Sequence, residues 1–147
     1  MKAFANEKIS YEEMIGFTDF FNSYVVANAM VPGHVEQYVL IFDLGDLSLF
    51  EIPIGDIANF AKHGTVNYKQ RNGMSIYVNM HWVIHLAITI LKSVLDEGQL
   101  MCNKFFTDDY HSFLDEMIGL ENVQEKYGGK LPNLELGTSE FPPRFNL

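Results

Sequence analysis

The chain has 147 residues, 48% hydrophobic and 14% aromatic, enough for one domain with one sizeable core and too few for a second. Nineteen acidic against ten basic residues give a net charge of −9, which repels phosphate backbones, removes the counterion release that drives nucleic-acid binding, and excludes nucleic acid as a partner. With no Lys/Arg cluster, stable adsorption to anionic lipid through a polybasic patch is excluded too, so membrane contact is expected to be transient and led by apolar groups. Cys102 stands alone, which rules out an internal disulfide or a cysteine-based zinc site and fits a reducing cytosol. The segment Met1 to Lys8 lacks the apolar stretch of a signal peptide, so a cytoplasmic chain starting near Met1 is expected. Twelve Phe and seven Tyr exceed what a small core needs and hint at a cavity lining or a partner surface.

In chain order, Ser10 followed by Glu13 forms a capping box, and the periodic residues Met14, Phe17, Phe21, Tyr24 and Val25 predict a helix over about 11–29. Pro32-Gly33 stops it. The continuous apolar run Tyr38-Val39-Leu40-Ile41-Phe42, ending at Asp43, predicts a strand covered on both faces, as in a parallel sheet. Pro53 starts a shorter helix with Ile54, Ile57, Ala58 and Ala61 on one face, fading near His63-Gly64. The turn pair Asn72-Gly73 precedes a strand from Met74 to Asn79. A strong helix from His81 to Leu95 and a short third strand at Lys104-Phe105-Phe106 follow. Thr107 is placed to cap a last helix with Tyr110, Phe113, Leu114, Met117 and Ile118 at its apolar positions. Residues 130–147, with three prolines, predict an extended tail over the domain. The alternating order implies an α/β fold with a small, mostly parallel sheet sandwiched by helices. A three-stranded sheet has exposed edges, which leaves homodimerisation by edge pairing or swapping open.

The helix over 81–95 is the informative one. Its polar residues His81, His85, Thr89 and Lys92 form one narrow stripe, while its apolar residues spread far beyond the roughly 100° that a surface helix buries. The run is about 16 residues and interrupted, short of the roughly 20 needed to span a bilayer. Either the rest of the fold buries this helix, or it walls an apolar cavity and touches a membrane.

Three segments in order resemble the CRAL-TRIO domain, in particular the branch of secretory-pathway phosphatidylinositol/phosphatidylcholine transfer proteins. They are Val35-Glu36 with the apolar strand ending Asp43-Leu44-Gly45, the run Asn67-Tyr68-Lys69-Gln70-Arg71 continuing through Ile76-Tyr77-Val78-Asn79, and the closing Glu125-Lys126-Tyr127-Gly128-Gly129. The resemblance covers about residues 10–130 and implies the C-terminal part of such a domain, without the family's N-terminal lobe and first strands. It implies a sheet-floored pocket for one phospholipid or other hydrophobic molecule, closed by a gating helix corresponding to the segment from Trp82 through Leu86 to Leu95.

On that basis the pocket candidates are Tyr38, Leu40 and Phe42, which strand alternation puts on one face, with Gly64 and Tyr77. Ile84, Ile88, Leu91 and Leu95 join them at helical spacing. The headgroup positions correspond to Gln70 and Lys104. Several of these depart from the family pattern: Gln70 stands where inositol-lipid binders have Glu, the family's Lys after the gating helix matches Cys102 without a gap and Lys104 only with a two-residue insertion, and Tyr38, Leu40 and Gly64 replace choline-contacting Ser and Thr. The identity of the lipid stays open.

His81 and His85 at i, i+4 lack the further ligands that zinc needs, and Asp108-Asp109 suits the first turn of a helix. No metal or cofactor is expected beyond a bound lipid, and no Gly-rich phosphate loop, nucleophile elbow or catalytic triad pattern is present. The expected function is non-enzymatic lipid binding, with transfer or sensing. The alternative is a protein-interaction module on the same scaffold without a working pocket.

Overall fold

The computed structural model describes residues 10–45, 59, 62–64, 66–68, 70–81, 88–89, 92–93 and 95–134. Helix α1 spans Tyr11–Asn28, and its start is the capping box: Ser10 Oγ accepts from the Glu13 N–H at 3.2 Å, while Glu13 Oε2 accepts from the Ser10 N–H at 2.9 Å. The helix forms where expected, and of its periodic residues Met14, Phe21, Tyr24 and Val25 are half-buried while Phe17 is exposed. Asn22 is its buried residue, whereas Phe17 and Phe20 are 54% and 68% exposed. Polar residues can sit inside here because they are satisfied locally. Thr18 Oγ1 donates to the Met14 carbonyl at 2.9 Å, Asn22 Nδ2 donates to the Thr18 carbonyl at 2.8 Å, and the Tyr38 hydroxyl donates to Asn22 Oδ1.

Strands β1 (Tyr38–Asp43), β2 (Asn72–Val78) and β3 (Asn103–Phe105) form one parallel sheet in that order, so β2 is central. β1 is less covered than its unbroken apolar run implied. Val39 is 47% exposed and no β1 residue is fully buried, because among the described residues β1 lies at the sheet edge with one neighbour. Its register slips once: Tyr38 faces Asn72 and Val39 faces Met74, leaving Gly73 as the extra residue of β2. A Cβ on Gly73 would stand 3.2 Å from the Gln37 side chain, so the extra residue sits where the chain just before β1 comes close.

One face of the sheet packs a core of Ile76, Val78, Tyr110, Leu114, Val123 and Tyr127, edged by Ile41, Met74, Phe106, Phe113 and Ile118. Helix α2 (Glu97–Met101) leads into β3, and helix α3 (His111–Ile118) lies on this core. Thr107 does not cap α3, and Asp108-Asp109 do not lie in its first turn. All three are exposed, Asp109 turns the chain with φ 58°, and the helix starts after Tyr110, which has no side-chain cap. Burial of the Tyr110 ring, 6% exposed, anchors this start in place of a cap.

The closing Tyr127-Gly128-Gly129 is a packing device. Tyr127 is buried, Gly128 has φ +82°, and a Cβ on Gly129 would lie 1.9 Å from the Val123 carbonyl oxygen. Only glycine permits that approach.

Of the helix expected from Pro53, residues 59, 62–64 and 66–67 are described and helical, so helical residues are found on both sides of the expected end near His63-Gly64. Of the segment over 81–95, residues 88–89 and 92–93 are described and helical, His81 and Leu95 are described and not helical, and residues 82–87, 90–91 and 94, like the tail beyond residue 134, lie outside the described residues.

Candidate functional site

Alternation along a strand sends Ile41, Ile76 and Val78 to the α3 side and their neighbours to the other face. On that second face the register sets Leu40, Ser75 and Asn103 in one row and Phe42, Tyr77 and Phe105 in the next. The second row is a ladder of stacked rings. Phe42 and Tyr77 lie 4.9 Å apart at 11°, and Tyr77 and Phe105 lie 4.9 Å apart at 13°. Each such pair contributes about 0.5–1.5 kcal/mol beyond its buried area. All three rings are half-buried, and burial pushes the Tyr77 phenol pKa up.

Over this ladder sits a second apolar cluster. Met80 and Ile88 are 3% and 7% exposed and pack with Leu44, Tyr77 and Phe105. Ile88 belongs to the segment expected to gate a pocket, and it meets the sheet at the C-terminal ends of the strands. Its described neighbours Thr89 and Lys92 are exposed, as the polar stripe implied. Met80 reaches the cluster because Asn79 takes a left-handed backbone conformation, φ 56°, at the end of β2. Asn79 Nδ2 donates to Asp43 Oδ1 at 2.9 Å, which also accepts from the Gly45 N–H at 3.1 Å, and these bonds tie the ends of β1 and β2 together.

The structure therefore brings Phe42, Tyr77 and Ile88 together, with Leu40 one row away. Tyr38 is drawn toward α1 by its bond to Asn22. Gly64 sits in the helical segment beside His63, with nothing within 4 Å of where its Cβ would be. Gln70 takes φ 68° at the opposite end of β2, about 20 Å along the chain from Tyr77, and lines an open polar cleft with Arg71 and residues 33–37. Lys104 pairs with Ile76 and shares its α3-side face. Leu95 is half-buried at a bend. Trp82, Ile84, Leu86 and Leu91 lie outside the described residues. Phe105, Met80 and Leu44 were not singled out from the sequence. Phe105 could have been, since period-2 alternation places it in the Tyr77 row once β3 is paired. Met80 could not, because a turn at Asn79 carries no period.

A separate polar cluster fastens α1 to the rest of the chain. Asp19 Oδ1 accepts from His63 Nε2 at 2.7 Å and from the Tyr68 hydroxyl at 2.6 Å, and Asn67 Nδ2 lies 3.0 Å from His63 Nδ1. A neutral imidazole satisfies both contacts, donating at Nε2 and accepting at Nδ1. The His63 and Tyr68 bonds hold the Asp19 carboxyl below its ordinary pKa; burial, aided by Asp19, pushes the Tyr68 phenol up to about 12.

Among the described residues there is no group of three or more side chains able to hold a metal ion, and no helix is long and apolar enough to cross a membrane. No individual curated protein aligns significantly with the chain. The family model for the CRAL/TRIO domain matches residues 1–129. The chain belongs to the CRAL/TRIO domain family, whose domains are in general non-enzymatic binders of lipophilic ligands.

Proposed function

We propose that this chain binds one phospholipid or similar hydrophobic molecule against the Phe42–Tyr77–Phe105 face, beneath the segment that carries Ile88, and carries or senses it at membranes without catalysing a reaction. The observation that carries this reading is the ladder itself. Three stacked rings stay half-buried on a face whose described cover is Met80, Leu44 and Ile88, while on the opposite face the central-strand residues Ile76 and Val78 are at 0% exposure. An apolar ligand would finish what the chain leaves partly covered.

Burying an acyl CH₂ is worth about 0.8 kcal/mol against water, so water does not compete for a bound lipid. The bilayer does, being equally apolar, and selectivity rests on headgroup hydrogen bonds. Gln70, in its polar cleft at the far end of β2, is the position at which an inositol or choline preference would differ from the transfer proteins that the sequence resembles. Native mass spectrometry of protein purified from cells, together with transfer of labelled phosphatidylcholine and phosphatidylinositol between liposomes, tests the proposal. Co-purifying lipid that is lost in Tyr77→Ala supports it; protein that is repeatedly empty and transfers neither lipid refutes it.

A further inference from the structure

The middle ring of the Phe42–Tyr77–Phe105 ladder is the one that carries a hydroxyl. Phe42 and Phe105 stack on it from either side at 4.9 Å, and a phenylalanine at position 77 would stack as well. A hydroxyl on an apolar face costs stability unless it is hydrogen-bonded, so this one calls for partners. The next row of the sheet supplies one. Ser75, in register with Leu40 and Asn103, lies on the same face as Tyr77 and is 3% exposed. Its Oγ accepts from Asn72 Nδ2 at 2.7 Å, which orients the serine. Burial pushes the Tyr77 phenol pKa up, and hydrogen bonding from Ser75 works against that rise. The phenol therefore keeps its proton at neutral pH. Of the two hydroxyl protons, one bridges the pair and the other is left to donate. Ser75 is sealed in, so the half-buried Tyr77 tip is where that proton can meet a ligand. The apolar neighbours of Tyr77, namely Phe42, Phe105, Met80, Leu44 and Ile88, have no oxygen or nitrogen in their side chains to receive it.

We propose that the Tyr77 hydroxyl, positioned by Ser75, donates a hydrogen bond to an ester carbonyl of the bound lipid, so that the site selects acyl lipids over ether-linked ones. The inference rests on the lipid-binding reading above and adds the chemical class of the ligand. An ester carbonyl fits because it is neutral and stands where the acyl chains begin, so the chains run on along the rings while the oxygen stays at the hydroxyl. A carboxylate fits less well. The residues of this face, Leu40, Phe42, Ser75, Tyr77, Asn103 and Phe105, include no cation, the chain carries a net charge of −9, and an unpaired charge is expensive to bury.

Liposomes holding equal amounts of diacyl phosphatidylcholine and its dialkyl ether, which keeps the headgroup and chains but lacks both carbonyls, supply the test. Native mass spectrometry of the full chain after equilibration reads the ratio of the two bound species. The wild type is expected to load the diacyl lipid in about five- to tenfold excess, the worth of one net hydrogen bond. Tyr77→Phe, which keeps the stack, brings the ratio to about one, and Ser75→Ala, which removes the positioning group, gives an intermediate ratio. A wild-type ratio near one, with lipid bound, overturns the inference and leaves lipid binding standing. So does an excess that persists in Tyr77→Phe, which would put the donor elsewhere. Oleate that competes equally with the diacyl lipid would assign the hydroxyl to a carboxylate and overturn the ester carbonyl. Protein that takes up neither phosphatidylcholine nor phosphatidylinositol refutes lipid binding itself, and this inference with it.

Discussion

The two faces of the sheet are built from alternate residues of the same three strands, yet they are finished differently. Toward α3, the central-strand residues Ile76 and Val78 and the helix residue Leu114 reach 0% exposure beside Tyr110, Val123 and Tyr127, and exposure rises at the β1 edge, where Val39 is 47% exposed. On the other side Phe42, Tyr77 and Phe105 stack on one another and are only half-buried, with Met80, Leu44 and Ile88 above them. A closed face maximises the stability of the domain. On the proposed function, a face finished with flat rings keeps a surface that an apolar guest would cover, and stacking keeps that surface ordered without one.

The contrast breaks most visibly on truncation. Leu114→Ala removes a fully buried side chain and is expected to cost about 2–5 kcal/mol, read as a fall in the urea midpoint at unchanged slope. Tyr77→Ala, in the half-buried ladder, is expected to cost less, roughly 1–3 kcal/mol from lost stacking and area, while sharply reducing retention of a fluorescent phospholipid. Equal destabilisation by the two, with retention untouched, would make the ladder ordinary core. Away from both faces, Ser10→Ala removes the reciprocal cap of α1 and should lower stability by about 1 kcal/mol, with the loss of hydrogen-exchange protection confined to the first turns of that helix.

The smallest effect is a pH dependence at the polar junction of α1. Asp19 has a folded pKa depressed below its ordinary value of 3.8, chiefly by the bond from His63 and next by that from Tyr68. Its contribution is therefore present above the ordinary value and lost as pH falls through the depressed one. Amide protection of α1 should drop between about pH 4 and the acid limit in the wild type and change less in Asp19→Asn. Tyr68 behaves in the opposite sense. With its phenol raised from 10.0 to about 12, its stabilising share is intact below 10.0 and disappears as pH climbs through about 12. Tyr68→Phe should flatten the alkaline limb.

Much of the fold could be read along the chain because its causes are local. The Ser10/Glu13 box starts α1 within a residue of the predicted place, and the parallel order of β1, β2 and β3 follows from apolar runs separated by crossover lengths of chain. Tyr127-Gly128-Gly129 marked a family resemblance before its role as a packing device was visible. The candidate site was legible in part. Phe42, Tyr77 and Ile88 were named and do converge, whereas Phe105 needed the pairing of β3, and Lys104, aligned with a headgroup position, lies on the α3 side through its partner Ile76.

Periodicity along α1 marked an apolar stripe that the structure half-buries at Met14, Phe21, Tyr24 and Val25 and leaves exposed at Phe17. A hydrophobic period shows which residues share a face, but not whether that face turns inward. In α1 the contacts that period does not reveal are those of Asn22 and Asp19, whose side chains find Tyr38, His63 and Tyr68 at separations of 16, 44 and 49 residues. Local spacing establishes that a helix, a strand or a cap forms. Hydrogen bonds and ring stacks between residues far apart in the chain choose which side of each element is buried, because those partners exist only once the chain has folded.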